Sequence, residues 1–377
     1  MEFTIGLDKL QKALKVVGAV AKPNSPEAAG QVLLDIAEDG SIVFVGNNGR
    51  LATTHMVTGN VVKTQGTVCV PFTKLASFAN SFIFWDGTSG VKDVTFKNLK
   101  KNVSVRLTNT FETGKTSKNK LLLKTFPQQK FFVPEPFKKE AFRLRSVVLK
   151  LAIAKVLYAI DPNAQQSFIQ GMNISFTQDN IYFVATDALK LSEYSTKNTG
   201  NLFEGSYIVP HSFIIALRKI AASIDDISFD ISDGKIKALV NNSVLHSNLI
   251  VDAAFPDYQS TFDNYKHKIV IDKEVMLSCF IPYLGVLNDD DNKRLTIELK
   301  NKQLCMSSPY FEAEYESPID FDGEFIIDIN GLFLAQTLDA IQDDILDMYF
   351  SDKDGYLIFD SSNFKDQKAL ITNIKRA

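Results

Sequence analysis

Apolar residues follow two patterns that alternate along the chain. Short apolar runs indicate strands, and each is followed by a stretch with the i, i+3, i+4 spacing of an amphipathic helix. In the first such stretch Leu7, Leu10, Leu14, Val17 and Ala21 mark one buried face. The predicted helices cover residues 7–21, 72–82, 146–160, 211–222, 273–287 and 330–342.

The pattern occurs three times. Residues 44–48 and 183–187 lie 139 positions apart, and predicted hairpins at 32–45, 172–184 and 295–306 occupy matching places. We therefore predict an α+β fold of three tandem copies, each with two helices on antiparallel sheets. The predicted domains are residues 1–130, 131–256 and 257–377, with linkers at 127–138 and 256–268. Three independent domains on a string are the alternative.

Composition indicates a globular protein outside the membrane. The 377 residues are 45% hydrophobic and 23% charged, which excludes wholesale disorder. No stretch approaches the roughly 18 apolar residues of a membrane span, and the start lacks the plan of a signal peptide. Cys69, Cys279 and Cys305 are odd in number and far apart, so we expect reduced thiols and a cytoplasmic location.

Charge is distributed unevenly among the three copies. The net charge of −3 combines a balance of +8 over residues 1–130, zero over 131–256 and −11 over 257–377. No Lys or Arg occurs between Lys302 and Lys353. Such polarity usually concerns partners rather than the fold.

Cations lie away from the apolar face of several predicted helices. Lysines outnumber arginines by 34 to 7, and lysine suits phosphate contacts better than bidentate reading of bases. We therefore expect sequence-independent contact with the backbone of double-stranded DNA; ordinary solvated helix faces are the alternative. The candidate DNA-binding residues are Lys12, Lys15, Lys22, Lys74, Lys150, Lys155, Arg218 and Lys219.

No motif supports catalysis. Gly114-Lys115-Thr116 resembles the end of a phosphate loop, but Asn109 stands where the earlier glycine is required. The four histidines lack metal spacing, and the acidic run 289–291 lacks the alternation of a calcium loop. We expect no enzyme activity, no cofactor and no metal.

Several short motifs together resemble one family, the bacterial β sliding clamp, which is the beta subunit of DNA polymerase III. The similarity spans the whole chain and is carried by the order and spacing of the motifs. They are Met1-Glu2-Phe3-Thr4-Ile5, Gly171-Met172, Val184-Ala185-Thr186-Asp187, Phe255-Pro256-Asp257-Tyr258 and the basic penultimate Arg376.

The resemblance implies a processivity factor for DNA replication. Two subunits would join head to tail into a homodimeric ring of six domains around duplex DNA. The ring would tether the DNA polymerase and other partners, and an ATP-dependent clamp loader would open it. The helices would line the hole, and the sheets would close across subunit boundaries.

The resemblance also implies a pocket for a partner peptide between the second and third domains. The sequence departs from the family there: Ala188-Leu189-Lys190-Leu191 replaces Gly-His-Arg-Leu, and Ser260 replaces an arginine. Such divergence suits a phage-encoded or otherwise specialised clamp. The matching positions are Phe168, Ile169, Thr186, Ala188, Leu189, Lys190, Leu191, Pro256, Ser260, Thr261, Ile371 and Asn373.

The subunit interface implied by the resemblance places a first-domain strand against the end of a third-domain helix. The matching residues are Leu121 and Leu123 on one side and Val286 and Leu287 on the other.

Three other functions remain open at this point. A non-encircling multidomain adaptor would bind partner peptides and stay on DNA after linearisation. A nucleotide-dependent enzyme built around Lys115-Thr116 would bind or hydrolyse ATP. A sequence-specific DNA-binding protein would discriminate between sites at fixed salt.

Overall fold

A computed structural model gives the architecture of most of the chain. Lys22, Arg376 and the acidic run 289–291 lie outside the described residues. The structure describes residues 1–21, 27–82, 90–99, 101–111, 114–128, 131–200, 203–221, 226–263, 265–287, 293–315, 319–351 and 355–374.

The same order of elements occurs three times along the chain, which bears out the predicted mixed fold of antiparallel sheets with few helices. The first series is β1 (Glu2–Gly6), α1 (Leu7–Val17), β2 (Gln31–Ile36), β3 (Ile42–Asn47), β4 (Leu51–Val57), β5 (Val61–Thr64), β6 (Gly66–Pro71), α2 (Phe72–Asn80), β7 (Gly90–Leu99), β8 (Asn102–Phe111) and β9 (Thr116–Lys124).

The second series has the same order without a counterpart of β5. It comprises β10 (Phe142–Arg145), α3 (Ser146–Val156), β11 (Gly171–Phe176), β12 (Asn180–Thr186), β13 (Lys190–Lys197), β14 (Gly205–Pro210), α4 (His211–Ile220), β15 (Asp226–Ser232), β16 (Lys235–Val240) and β17 (Ser243–Asn248).

The third series follows a short linker helix, α5 (Gln259–Asp263). It comprises β18 (His267–Asp272), α6 (Lys273–Phe280), β19 (Arg294–Lys300), β20 (Gln303–Ser308), β21 (Phe311–Tyr315), β22 (Phe325–Asn330), α7 (Gly331–Ala340), β23 (Ile345–Phe350), β24 (Tyr356–Ser361) and β25 (Gln367–Thr372).

The chain divides into two compact units, residues 1–146 with 212–249 and residues 147–211 with 250–377. The first unit contains a five-stranded sheet in the order β5-β1-β7-β8-β9 and an eight-stranded sheet in the order β10-β15-β16-β17-β4-β3-β2-β6. The second contains an eight-stranded sheet in the order β14-β11-β12-β13-β25-β24-β23-β18 and a four-stranded sheet in the order β21-β20-β19-β22. The strands of the second series are thus divided between the two eight-stranded sheets.

Successive series are joined by antiparallel strand pairs inside each unit. In the first unit β4 pairs with β17, so that Thr53 lies opposite Leu245. In the second unit β13 pairs with β25, so that Ser192 lies opposite Ala369. Both pairs bring the fourth strand of one series beside the last strand of the following series. The strands that correspond to them, β21 and β9, each lie at the edge of a described sheet.

The exit from each series uses the same hydrogen bond. The backbone N–H of Phe126 donates to Cys69 at 2.9 Å, that of Ile250 to Ile208 at 3.0 Å, and that of Ile374 to Asp328 at 2.7 Å. The three donors are equally spaced along the chain. The internal repeat is therefore visible in backbone contacts as well as in sequence pattern.

Each helix packs its predicted apolar face into a core. Leu7, Leu10, Leu14 and Val17 of α1 are buried, and the stacked rings of Phe3 and Phe96 extend the same cluster. Helix α6 ends at Phe280, seven residues before its predicted end. Pro282 follows in a 3-10 turn, Ile281–Val286, because proline cannot donate the backbone hydrogen bond that an α-helix requires.

Candidate nucleic-acid and peptide interfaces

Six of the predicted DNA-binding cations lie on exposed positions of their helices. Lys12 and Lys15 are exposed on α1, on the side away from the buried Leu10 and Leu14. Lysine side chains so placed reach into solvent with their ammonium groups, where they can contact phosphates. The other exposed members are Lys74 on α2, Lys150 on α3, and Arg218 and Lys219 on α4.

Lys155 was predicted to contact DNA, and the structure does not support that prediction. Its ammonium group contacts the Asp366 carboxylate at 2.8 and 2.9 Å and lies 4.8 Å from the centre of the Tyr194 ring. Only 3% of the residue is exposed. The helical spacing of α3 could not reveal this, because the acidic partner comes from the turn between β24 and β25.

The turn between β12 and β13 is the most tightly organised part of the predicted peptide pocket. The Asp187 carboxylate accepts the backbone N–H groups of Leu189 and Lys190 at 2.9 and 2.8 Å. The Thr186 hydroxyl donates to the Lys190 carbonyl at 2.8 Å. Ala188 therefore adopts φ +71°, a left-handed conformation that favours glycine, at the position where the family pattern has glycine.

Lys190 does not extend into solvent from this turn. Its ammonium group pairs with the Asp187 carboxylate and lies 4.0 Å from the centre of the Phe333 ring on α7. Leu189, by contrast, is 52% exposed, although its carbonyl accepts both the backbone N–H and the hydroxyl of Thr372. The turn thus offers one exposed apolar side chain on a fixed backbone.

A chain of aromatic rings follows the linker before β18. Phe168 meets Phe255 edge to face at 6.3 Å, Phe255 meets Tyr258 at 6.0 Å, and Tyr258 meets Phe262 at 5.9 Å. Tyr258 and Phe262 also pack in one apolar cluster with Leu191. The structure therefore brings together three of the predicted segments: the β12–β13 turn, the linker at 255–262 and Phe168.

The remaining predicted pocket residues differ in whether their side chains are exposed to a ligand. Pro256, Ser260 and Asn373 are exposed, whereas Ile169 is buried. Ile371 is fully buried in the core that α6 and α7 cover, so its side chain cannot touch a ligand on the opposite face of the sheet. Thr261 is half-buried and its carbonyl accepts the Tyr356 hydroxyl at 3.3 Å.

Two contacts in this region were not predicted from the sequence. The Tyr258 hydroxyl donates to the Glu193 carboxylate at 2.5 Å, and the Lys368 ammonium group lies 5.5 Å from the centre of the Phe262 ring. Burial raises the pKa of Glu193 and, together with the neighbouring Glu193 charge, raises the pKa of Tyr258. The regular spacing of aromatic residues after Phe255 was the signal that could have identified this cluster.

The predicted interface residues fall into exposed and buried classes. Val286 is exposed, but Leu287 packs against Gly331 in its own unit. Leu123 is 1% exposed and belongs to the core of the first unit, while its neighbour Leu122 is 53% exposed. The pleat of β9 turns alternate side chains to opposite faces, so Leu123 cannot contact a partner through its side chain.

Other chemical features of the described residues are few. They contain no group of three or more His, Cys, Asp or Glu residues arranged to hold a metal ion. Cys69, Cys279 and Cys305 form no disulfide, and burial raises the pKa of Cys69 to about 12. No described helix is both long and apolar enough to cross a membrane.

Comparisons with known proteins agree on one family. Residues 143–257 match the family described as DNA polymerase III beta subunit, central domain. The beta sliding clamp of Haemophilus influenzae is 22% identical over 350 residues, covering 91% of each chain, and that of Buchnera aphidicola is 21% identical over the full length of both.

Solved structures show the same fold. The DNA polymerase III subunit beta from Pseudomonas aeruginosa superposes with a TM-score of 0.87 at 20% identity, and coverage is 100% of both chains. A DNA polymerase sliding clamp from Caulobacter crescentus gives a TM-score of 0.86 at 16% identity, again with 100% coverage of both.

Proposed function

We propose that the chain, which is similar to β sliding clamps in sequence and fold, is itself a DNA sliding clamp, a processivity factor that encircles duplex DNA and tethers the replicative DNA polymerase. The proposed domains are residues 1–130, 131–256 and 257–377, and two chains would form a head-to-tail ring that an ATP-dependent loader opens. The single observation that carries the ring is that β9 and β21 each lie at the edge of a sheet among the described residues.

The two strand pairs that join successive series supply the argument. Inside the chain, β4 pairs with β17 and β13 pairs with β25. A third equivalent pair would consist of β21 and β9, which belong to the last and the first series. We infer that β21 of one copy pairs with β9 of a second copy, because this closes both edges by a contact that the chain already makes twice.

The internal repeat also predicts the register of that contact. The exit donors Phe126 and Ile374 are equivalent, so Lys120, six residues before Phe126, corresponds to Lys368, six residues before Ile374. The exit acceptors Ile208 and Asp328 are equivalent as well. Cross-strand pairs lead from Ile208 through Asn173 and Val184 to Glu193, and from Asp328 through Thr296 and Ser307 to Glu312, so Glu312 corresponds to Glu193. Since Glu193 is opposite Lys368, the predicted intermolecular register has Glu312 opposite Lys120 and Glu314 opposite Lys118.

The charges of the two strands are complementary in this register. β9 exposes Lys118, Lys120 and Lys124, whereas β21 exposes Glu312 and Glu314. Opposite charges on directly facing cross-strand positions stabilise pairing and exclude pairing of β9 with a second β9. The +8 and −11 balances of the first and third predicted domains therefore favour a head-to-tail arrangement.

Apolar side chains flank the acidic edge strand. The Tyr283 ring stacks on Phe311, the first residue of β21, at 4.2 Å, and Ile281 and Val286 are exposed on the same 3-10 turn. We propose that this turn and Leu122 form the apolar part of the interface. Val286 remains a predicted interface residue, and Leu122 replaces Leu123 in the proposal. Leu121 is half-buried on the same face of β9 as Leu123 and packs against the core of the first unit.

DNA would be held inside the ring by its phosphates. The exposed cations Lys12, Lys15, Lys74, Lys150, Arg218 and Lys219 would supply contacts without base reading. Such contacts are weakened by salt and permit sliding, which is what a tether on a moving polymerase requires.

The partner peptide would dock at the β12–β13 turn. Leu189, Pro256, Ser260 and Asn373 are the exposed members of the predicted pocket, and the aromatic chain beside them gives a fixed apolar surface. Because these side chains differ from the family pattern, we propose that the preferred peptide differs from the common clamp-binding motif.

Two measurements test this function. Solution mass should be about twice the 42.0 kDa of one chain. Protein loaded on a nicked circular DNA should be released when the circle is linearised. Retention after linearisation would instead support the non-encircling adaptor.

A further inference from the structure

Two aspartates face each other in the second unit, on the sheet face opposite the core. Asp347 on β23 is the direct cross-strand partner of Asp360 on β24. Both are almost completely buried, with 2% and 5% exposed. Two ionised carboxylates so close together and away from water would repel each other strongly.

The two carboxylates have unequal surroundings. Asp360 has one ion pair, with the Lys365 ammonium group at 3.9 Å, and its Oδ1 atom has no hydrogen-bond partner among the described residues. The Asp347 carboxylate accepts from the Lys268 ammonium at 2.8 Å, the Lys365 ammonium at 2.5 Å, the Ser362 hydroxyl at 2.8 Å and the Tyr349 hydroxyl at 3.3 Å.

The pKa values of the two carboxyl groups differ for the same reason. Burial raises the pKa of Asp360 to about 6, with a further contribution from Asp347, against the attraction of Lys365 and Lys368. Burial also acts to raise the pKa of Asp347, but hydrogen bonds from Lys268, Lys365 and Ser362 outweigh it and hold the value at about 2. The surroundings of Asp347 thus favour its ionised form, whereas those of Asp360 favour its protonated form.

Asp360 is linked to the linker that precedes β18. Lys368 on β25 is the cross-strand partner of Asp360 on one side and of Glu193 on the other. Glu193 accepts from the Tyr258 hydroxyl, and Lys368 lies over the Phe262 ring. When Asp360 is neutral and Glu193 is ionised, Glu193 is the remaining cross-strand carboxylate of Lys368, which connects the pair to the contacts of the linker.

We propose that Asp347 and Asp360 form a buried cross-strand carboxyl pair that takes up one proton, which stabilises this sheet and the linker bound to it as the pH falls below neutrality. The proton resides on Asp360, while Asp347 remains the anion for Lys268 and Lys365. Charged and titratable groups surround the pair on every neighbouring element. They are Lys268 on β18, Tyr349 on β23, Asp343 before β23, Lys365 in the turn between β24 and β25, Lys368 on β25, Glu193 on β13 and Tyr265 in the linker.

The sign of the pH effect is fixed by linkage. The folded chain binds a proton at Asp360 more tightly than the unfolded chain does, since the pKa is raised from 3.8 to about 6. The ionised residue therefore lowers stability at neutral pH, and this loss disappears as the pH falls from about 7 towards 4. The Asp360→Asn variant should mimic the protonated state at every pH.

Thermal unfolding of Asp360→Asn and of the original chain tests the pair. The variant should melt several degrees higher at about pH 8, and the difference should shrink below about pH 6 and nearly vanish near about pH 4. Asp320→Asn, at an exposed position of the same unit, should show no such pH-dependent difference. Protection of the amides of residues 259–263 from hydrogen exchange should rise at low pH in the original chain only.

A direct titration of the aspartate carboxyl groups in the original chain gives a second test that does not depend on the folding of the variant. Carboxyl carbon NMR of the original chain labelled at aspartate should show one residue with a midpoint near about 6. A set of aspartates that all titrate below about pH 5 would overturn the proposal. A melting difference that is constant with pH would overturn it equally.

Discussion

Lys155 and Asp366 are 211 positions apart in sequence, and yet the ammonium group of one contacts both carboxylate oxygens of the other. The lysine backbone carbonyl also accepts the Ser192 hydroxyl at 2.8 Å. The last turn of α3 is thereby attached to β13 and to the turn before β25. A residue whose sequence context indicates a DNA contact is in fact part of the packing that joins two sheet strands.

Lys155→Ala should therefore lower stability and leave DNA binding unchanged. Removing the buried ammonium group leaves Asp366 without its ion pair, and we expect a loss of about 2–3 kcal/mol, since Asp366 is partly exposed. Denaturant unfolding gives the stability, and salt-dependent DNA retention gives the binding. Lys150→Ala is the matched control, because Lys150 is exposed on the same helix. This replacement should leave stability unchanged and weaken retention on DNA.

Replacing Lys12 and Lys15 together by glutamate should weaken retention on DNA without unfolding the protein. Both side chains are exposed, so the fold loses little, while two phosphate contacts per chain become repulsive. Retention on nicked circular DNA across a salt series should fall, and the salt dependence should become less steep. Unchanged retention and slope would show that α1 does not face DNA.

Glu312→Lys should break the ring, and Lys120→Glu should do the same. Each places like charges opposite one another in the proposed β9–β21 register, which costs about 1 kcal/mol per site and occurs twice in a closed dimer. Analytical ultracentrifugation should show a larger monomer fraction for each single variant. The double variant restores opposite charges and should recover the dimer, and failure to recover it would contradict the register.

Leu189→Asp should abolish polymerase stimulation while sparing dimer formation. Leu189 is the exposed apolar side chain of the β12–β13 turn, and a charge there cannot enter an apolar contact with a partner peptide. A truncation that begins at Ile371 is a poorer test, because that residue belongs to the core. Processive synthesis on a primed circle is the measurement, and full stimulation by the variant would refute the pocket assignment.

Acid should destabilise the chain through Asp343. Burial acts to raise the pKa of Asp343, but hydrogen bonds from Asn363, Ser361 and Ile345 hold it at about 2. Because this folded value lies below the ordinary 3.8, the stabilisation is present above about pH 4 and is lost as the pH falls towards 2. Asp343→Asn should cost about 2 kcal/mol at neutral pH and much less near pH 2. Urea unfolding at both pH values measures this.

The site could be predicted from sequence only in part. Helical spacing identified the exposed Lys12 and Lys15 correctly, because a face opposite a row of leucines must meet solvent. It could not identify the buried Lys155, whose partner is distant in sequence. Motif matching placed Ile371 in the pocket, but the pleat of β25 turns that side chain into the core.

The threefold repeat, the mixed fold, the hairpins and the approximate positions of the helices could be predicted from sequence, since apolar periodicity and turn residues are local properties of the chain. The pairing of strands between series, the exposed face of β9 and the partners of Lys155 and Asp360 became visible only in the folded protein. These depend on contacts between residues far apart in sequence, and local spacing carries no information about which distant side chain will neutralise a buried charge.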